Sequence, residues 1–569
     1  MQSSRRIAAW MKIAVPLALA FGLSACTVER TSSGPSATAT EMTQSLPSIV
    51  GMRRLTEEQY RNSIADIFGR DVTVNARFEP IIRPVHELIA TGASESSISP
   101  AGLEQYEAVA RSVAAQVLAA KRRATFLPCA PADPAKPAPD CARGFFGKVG
   151  LYLFRRPLSL KEVAFYVDLA TRGAQPVNDF YKGLELSLAA MLVAPEFLYR
   201  VETAGPDGGQ LDDYTRASRL SYLIWNSVPD KTLFDAAALG GLRTPEGVKA
   251  QVDRMLASPR AEQGARAFFT DFLQLDRLPD LSKDMIVYPR FTTGAASDFK
   301  EQALRTVIDH LLTRDLPYPQ LFSTPRTFLN RKLGLIYQVP VASATGWEAH
   351  IYPEEEQRLG LLAQGAFLAL FSHEGRSSPT LRGRAIREVL LCQPVPDPPA
   401  NVDFSGFNDT SNILLRTARQ RLARHASDPA CAACHRITDP LGLPLEGFDG
   451  IGGKRLTENG APIDTAGMFE GEAFDGLPGL ARLLAKSTGP SECMTKRAME
   501  YATGSTMERL DEAWTQAILS AASASQYRYR ALIRAITLSP QFLAAPAKDL
   551  LSDPARVAMI RPATREMQQ

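Results

Sequence analysis

The chain has 569 residues, 45% hydrophobic and 22% charged, with 64 Lys and Arg against 61 Asp and Glu. A formal net charge of +3, with no basic stripe interleaved with aromatics, argues against nucleic acid as a partner. The length calls for several domains or one large multi-segment body, and the composition is that of a globular protein.

The N-terminus opens with Arg5, Arg6 and Lys12, continues through an apolar stretch at 13–23, and reaches Leu23-Ser24-Ala25-Cys26. This is the pattern of a secretory signal, too short to span a bilayer as a mature helix. Its end resembles the lipobox of bacterial lipoproteins, which are cleaved just before the cysteine and lipidated on it. That resemblance implies Cys26 as the anchored residue. Thr27, standing where an Asp would hold such a protein at the inner membrane, implies an outer-membrane lipoprotein facing the periplasm or the cell surface. An ordinary signal peptide with a coincidental cysteine is the alternative. No later segment approaches about 18 uninterrupted apolar residues, so the body is expected to be soluble. Residues 27–48, rich in Ser, Thr, Ala and Pro, read as a flexible tether.

Folding is expected to start at 53–60, where Thr56 and Gln59 form a capping box and Leu55 with Tyr60 a hydrophobic staple. Gly69 ends that helix. A second helix is predicted over about 100–121, with Leu103, Tyr106, Val109 and Val113 on one side. Ser159 and Glu162 make another capping box. A helix over 181–192 closes at Ala194-Pro195-Glu196-Phe197, an ending echoed by Ser539-Pro540-Gln541-Phe542. Further helices are predicted over 215–225, 248–256, 261–275, 299–313 and 359–371. A stiff proline-rich connector follows at 394–399. Residues 462–469 and 472–474 suggest a small β-hairpin, and helices over 494–502, 511–522 and 527–538 precede a polar tail. The expected fold is mainly α, a multi-segment helical body.

Cys431-Ala432-Ala433-Cys434-His435 is the pattern that carries chemistry. At this spacing two thiols can add to the vinyl groups of a haem while the adjacent imidazole ligates the iron. With seven cysteines and six histidines in the chain, chance gives such a match in roughly one chain per thousand. The alternatives are a redox pair or half of a zinc site. A zinc ribbon would need a second such pair, which the sequence lacks. The haem reading assigns Cys431, Cys434 and His435 to one covalent haem c. Four cysteines remain in an oxidising compartment: Cys129, Cys141, Cys392 and Cys493. Cys129 and Cys141 flank a short loop that closes easily, and elimination pairs Cys392 with Cys493, although four cysteines allow three pairings.

Several stretches together resemble the planctomycete-type proteins whose consecutive segments are domains of unknown function around a cytochrome c-like haem motif. They lie at 53–69, 154–158, 189–202, 217–230, 358–368, 377–402, 421–455, 493–504 and 533–543, nearly the whole chain after the tether. The resemblance implies an exported, largely helical haem protein, with Asp439-Pro440-Leu441-Gly442 as a turn under the haem. Gly447 stands where an Asn is common in that pattern. The resulting segmentation is a signal at 1–25, a tether at 26–48, helical segments at 49–128, 129–205 and 206–357, a haem segment at 358–480, a helical segment at 481–550, and a tail at 551–569.

The sixth iron ligand decides between electron transfer and reaction. Candidates are His373, His425, and the thioethers of Met468, Met494 and Met499. An open position is the other case. Weaker constellations are Arg53-Arg54 and Arg155-Arg156, which could clamp haem propionates or a carboxylated substrate but read first as solvated helix-terminal pairs, and Asp464 in a loop, a poor cation site by itself. The leading functional reading is periplasmic or surface electron transfer with a redox partner protein. A haem-dependent oxidoreductase on a surface-derived substrate is the second reading. A structural or binding lipoprotein without haem is the third.

Overall fold

The computed structural model describes residues 48–397, 414–427 and 429–545. The chain enters as strand β1 (Ile49–Arg54), and Thr56 then caps helix α1 (Glu57–Phe68) through the reciprocal box with Gln59. Helices α2 (Pro100–Leu118), α3 (Pro139–Phe154), α4 (Leu160–Ala174) and α5 (Phe180–Leu192) complete the first layer. The predicted box of Ser159 and Glu162 opens α4. The apolar faces of these helices meet in one core around Tyr60, Phe145, Phe146, Leu184 and Phe197, all essentially buried.

Strand β2 (Tyr199–Thr203) follows and pairs antiparallel with β1, with Arg53 opposite Arg200 and Met52 opposite Val201. Sequence reading treats both stretches as helix flanks. A pairing across some 150 residues leaves no local signal when each strand is only five or six residues long.

Helix α6 (Asp213–Ile224) is the wall between this first core and a larger one. Its Tyr222 packs in the first, and its Ala217, Leu220 and Leu223 pack in the second. Although polar in sequence, the helix is buried on every side, Arg216 and Arg219 included. Each guanidinium is satisfied. Arg216 donates to the carbonyls of Leu211 and Leu242, and Arg219 forks onto Glu202 at 2.8 and 2.6 Å.

The second core is built from α7 (Pro245–Ala257), α8 (Ala261–Phe272), α9 (Ala295–Ile308) and the C-terminal helices. A short antiparallel pair, β3 (Arg326–Leu329) with β4 (Glu348–Ile351), packs beside α9. The helix predicted over 359–371 is shorter than expected: one 3-10 turn at Leu361–Ala363, then Gly365–Leu370. Beyond it come α10 (Pro379–Ala385), α11 (Ala418–His425) and α12 (Pro429–Gly442).

The predicted hairpin exists as β5 (Ala466–Phe469) paired with β6 (Glu472–Asp475), preceded by a two-residue pair at Thr457–Glu458 and Ala461–Pro462. Helices α13 (Gly476–Lys486), α14 (Gly489–Thr503), α15 (Glu512–Ala524) and α16 (Tyr529–Leu538) finish the fold. The echoed endings share one local form. In each, the proline opens a new four-residue helix, Pro195–Leu198 or Pro540–Leu543, instead of merely stopping the old one, and the aromatic, Phe197 or Phe542, is fully buried.

Both expected disulfides form: Cys129 with Cys141, and Cys392 with Cys493. The second joins cysteines 101 positions apart and ties the chain beyond α10 to α14. No helix among the described residues is long and apolar enough to cross a membrane.

Two measurements check this account. In the chain-entropy view, removing the Cys392–Cys493 bond by double serine substitution costs about 4–5 kcal/mol and removing Cys129–Cys141 about 3. Denaturant melts giving the reverse order would contradict the placement of the long loop. The second concerns Glu202. Burial would raise its pKa, but Arg219, Arg53 and Arg200 outweigh burial and hold the carboxyl at about 2. A depressed carboxyl stabilises the fold above its unfolded value and loses that contribution as pH falls towards 2. Urea melts should therefore lose up to about 3 kcal/mol between pH 5 and 2 from this group. Glu202→Gln should be less stable at pH 7 and show a smaller acid-dependent loss.

Candidate functional site

Helix α12 carries Cys431, Cys434 and His435 in its first turns. Residues three and four apart share a face, so both thiols and the imidazole line one side of the helix. Both cysteines stand outside the two disulfides and are partly exposed. The Cys434 sulfur lies 3.5 Å from the carbonyl of Pro396.

His435 is held by its own helix. Its Nδ1 donates to Asp439 Oδ2 at 2.8 Å, with the two side chains only 13% and 10% exposed. The other Asp439 oxygen accepts from Thr380 at 2.9 Å and Thr438 at 3.2 Å. A carboxylate anchored in this way fixes the proton on Nδ1 and leaves the Nε2 lone pair for a metal. The resemblance implies a turn at 439–442, whereas these residues are the last turn of α12. Pro440 sits inside the last turn of the helix, two residues before its end, where its missing N–H removes one backbone bond. The helical form is what brings Asp439 one turn beyond His435.

A helix, α11, precedes this one, and its N-terminus is closed by a capping box of Thr417 and Gln420. His425 ends α11, and its ring meets that of His435 edge to face, centroids 5.1 Å apart. The structure therefore brings one of the two predicted distal histidines to the site. His373 is exposed, and its carbonyl accepts from Lys283 Nζ at 2.9 Å. Desolvation, with Arg376 and Lys283 nearby, lowers the pKa of its imidazole. No described contact joins His373 to His435. Met494 and Met499 are fully buried core residues of α14. Met468 is 54% exposed on β5, a strand that packs on α12.

Of the weaker constellations, Arg155-Arg156 and Asp464 resolve into structural roles. Arg155 is buried and donates to the carbonyls of Phe197 and Tyr199, and Arg156 pairs with Glu162 at 2.7 Å. Arg53 and Arg54 are buried as well, so neither pair is the solvated one the sequence suggests. Asp464 pairs with Arg419 at 3.1 Å, and no cluster of His, Cys, Asp or Glu fit for a metal ion occurs among the described residues. Cys26 and residues 398–413 lie outside the described residues.

What the sequence did not reveal is the frame under α12. A Cβ on Gly383 would lie 1.9 Å from the Thr438 carbonyl oxygen, and one on Gly442 would lie 1.7 Å from that of Pro379. Glycine at both positions lets α10 and α12 approach backbone to backbone. Arg382, fully buried between them, donates to the carbonyls of Leu445 and Phe448 at 2.9 Å each and pairs with Glu446 at 3.3 Å. Glu446 also accepts from Arg455 and Ser377, both at 2.7 Å. Burial and Arg455 push the Arg382 guanidinium down to about 10 despite Glu446. Arg358, equally buried, lies over the rings of Tyr337 and Phe448 at 4.6 and 4.7 Å. An i, i+4 His–Asp pair on a helix was the signal available for Asp439; a single arginine in a short helix offered none for Arg382.

Five family models match the chain in order, each described as a protein of unknown function. They are DUF1587 at residues 53–119, DUF1595 at 141–202, DUF1592 at 211–339, DUF1588 at 358–458 and DUF1585 at 470–542. The His435 site and its frame fall inside the DUF1588 segment. No curated protein and no solved structure matches the chain. With these five segments covering most of it in sequence, the chain belongs to the multi-segment family built from these domains of unknown function.

Proposed function

We propose that the chain is an exported, lipid-anchored c-type haem protein that passes electrons between periplasmic or cell-surface partners. The observation that carries this reading is the His435–Asp439 pair at 2.8 Å on a helix that also presents Cys431 and Cys434. A carboxylate behind a ligating histidine is the usual arrangement at metal centres, where it fixes the tautomer and raises ligand basicity. Membership of a cytochrome c-like family supports the same role.

Cys431 and Cys434 would hold the haem covalently, and His435 would be its proximal ligand through Nε2. When bound, the group supplies one-electron redox chemistry. The chain's own part is to fix His435 through Asp439, to shield one side with α10, and to keep the thiol face partly open. Partial exposure suits electron exchange with a partner protein. His425 would be the candidate for a second iron-binding side chain, since it is the other imidazole at the site and ends a helix that the Thr417 cap and the Arg421–Glu458 ion pair hold in place. Cys26 would carry the lipid anchor.

Two tests follow, on protein exported through its own leader in a strain with haem c maturation. Cys434→Ala should weaken or abolish haem staining after denaturing electrophoresis; staining equal to wild type would sink the attachment site. His425→Ala should convert a six-coordinate low-spin spectrum into a high-spin one that binds carbon monoxide. An unchanged low-spin spectrum would remove His425 from the iron.

A further inference from the structure

Where β1, β2, α6 and α14 meet, four arginines converge: Arg53, Arg54, Arg200 and Arg219, each at least nine-tenths buried. Arg219 is neutralised by Glu202, its bidentate partner. Arg53 donates to the carbonyls of Tyr501 and Ala502, and Arg54 to those of Ser97 and Glu79. Arg54 also has the Glu79 carboxylate at 4.0 Å, whereas the carbonyls that meet Arg53 satisfy hydrogen bonds without cancelling charge. Arg200 has no hydrogen bond or ion pair from its guanidinium among the described residues; it lies over the Tyr222 ring at 5.2 Å, and its Nε is buried without a partner. The Nε atoms of Arg53 and Arg54 are unpartnered too.

Arg53, Arg54 and Arg200 line a cavity of about 30 Å³, with Tyr222, Tyr501 and Asp271 on its other walls. Asp271 does not offset them, since it pairs with Arg83 at 2.8 Å and accepts from the Ile89 and Ala90 amides. Glu202 is left to balance Arg53, Arg200 and Arg219 together. Buried cations in excess of their partners are costly, and Arg53 shows it: burial, then Arg200, lowers its pKa well below the ordinary value. A cavity of this size has room for about two waters, so it suits a small ion and excludes a nucleotide.

We propose that this cavity binds one small oxyanion, inorganic phosphate or the carboxylate of a small acid, with Arg200 as its main donor. The fork of a guanidinium suits either group. The occupant would join β1 and β2 of the first core to α14 of the second. The proposal does not rest on the haem reading.

The test uses the full chain, purified without phosphate and dialysed at constant ionic strength against phosphate, sulfate, acetate or chloride. Equilibrium dialysis should find one saturable site for phosphate, sulfate or acetate, and the same ion should raise the melting temperature above the chloride control. Preference for the tetrahedral ions would assign a phosphate-like occupant, and preference for acetate a carboxylate. Arg200→Gln should weaken binding about tenfold or more, with Arg200→Lys intermediate. No saturable site for any of the three on wild type, or equal binding by Arg200→Gln, would overturn the proposal. Should Arg200→Gln fail to fold, dialysis on the wild type and Arg200→Lys decides.

Discussion

The contact of α10 with α12 is the constraint on which the site depends. Two glycines, Gly383 and Gly442, let the helices meet with backbone carbonyls where side chains would otherwise stand. Such contact leaves no freedom of rotation, and because Thr438 and Gly442 continue, at three- and four-residue spacing, the stripe that carries Cys431, Cys434 and His435, it fixes how that stripe is presented. Arg382 completes the lock. A guanidinium offers five donors in one plane, and here they gather the carbonyls at 445–449 as the chain leaves α12. The charge is tolerated because Glu446 is buried beside it and shared with Arg455. Breaking such a network exposes an uncompensated buried charge, which is why it behaves as one unit.

The same logic of satisfied buried charge recurs at α6. Its sequence is too polar for an internal helix, yet it separates the two cores because Glu202 and two backbone carbonyls receive its arginines. Around it the N-terminal strand, the first helical layer and the C-terminal helices are joined by long-range contacts. Arg53 reaches α14, and Leu211 donates its amide to Leu543. The five family segments are thus consecutive in sequence but share two cores.

How much of this was legible depended on the range of each interaction. Capping boxes at Thr56 and Ser159 are local, and both form. Apolar periodicity gave most helices, and counting cysteines gave both disulfides. Pairing of β1 with β2 was not legible, because its partners are far apart and too short to show alternation. The arginines at 53 and 54 read as solvated because sequence shows charge and not the carbonyls that meet it. At the site, the thiol and histidine spacing was visible at once, and the structure adds Asp439 behind His435 and His425 beside it. Among the described contacts none joins His373 to them, and Met494 and Met499 are buried in the core. The turn expected at 439–442 became helix because the packing of Gly442 on α10 outweighed the local preference of proline.

The central claim is that Cys431, Cys434 and His435 form a covalent haem site braced by Asp439. The measurement that tests it most directly is a haem count on the exported full chain, by pyridine haemochrome absorbance against protein concentration, after acid–acetone extraction of any loose haem. The account predicts one unextractable haem per chain. Protein that is correctly folded, with both disulfides formed, and yet carries none would contradict it.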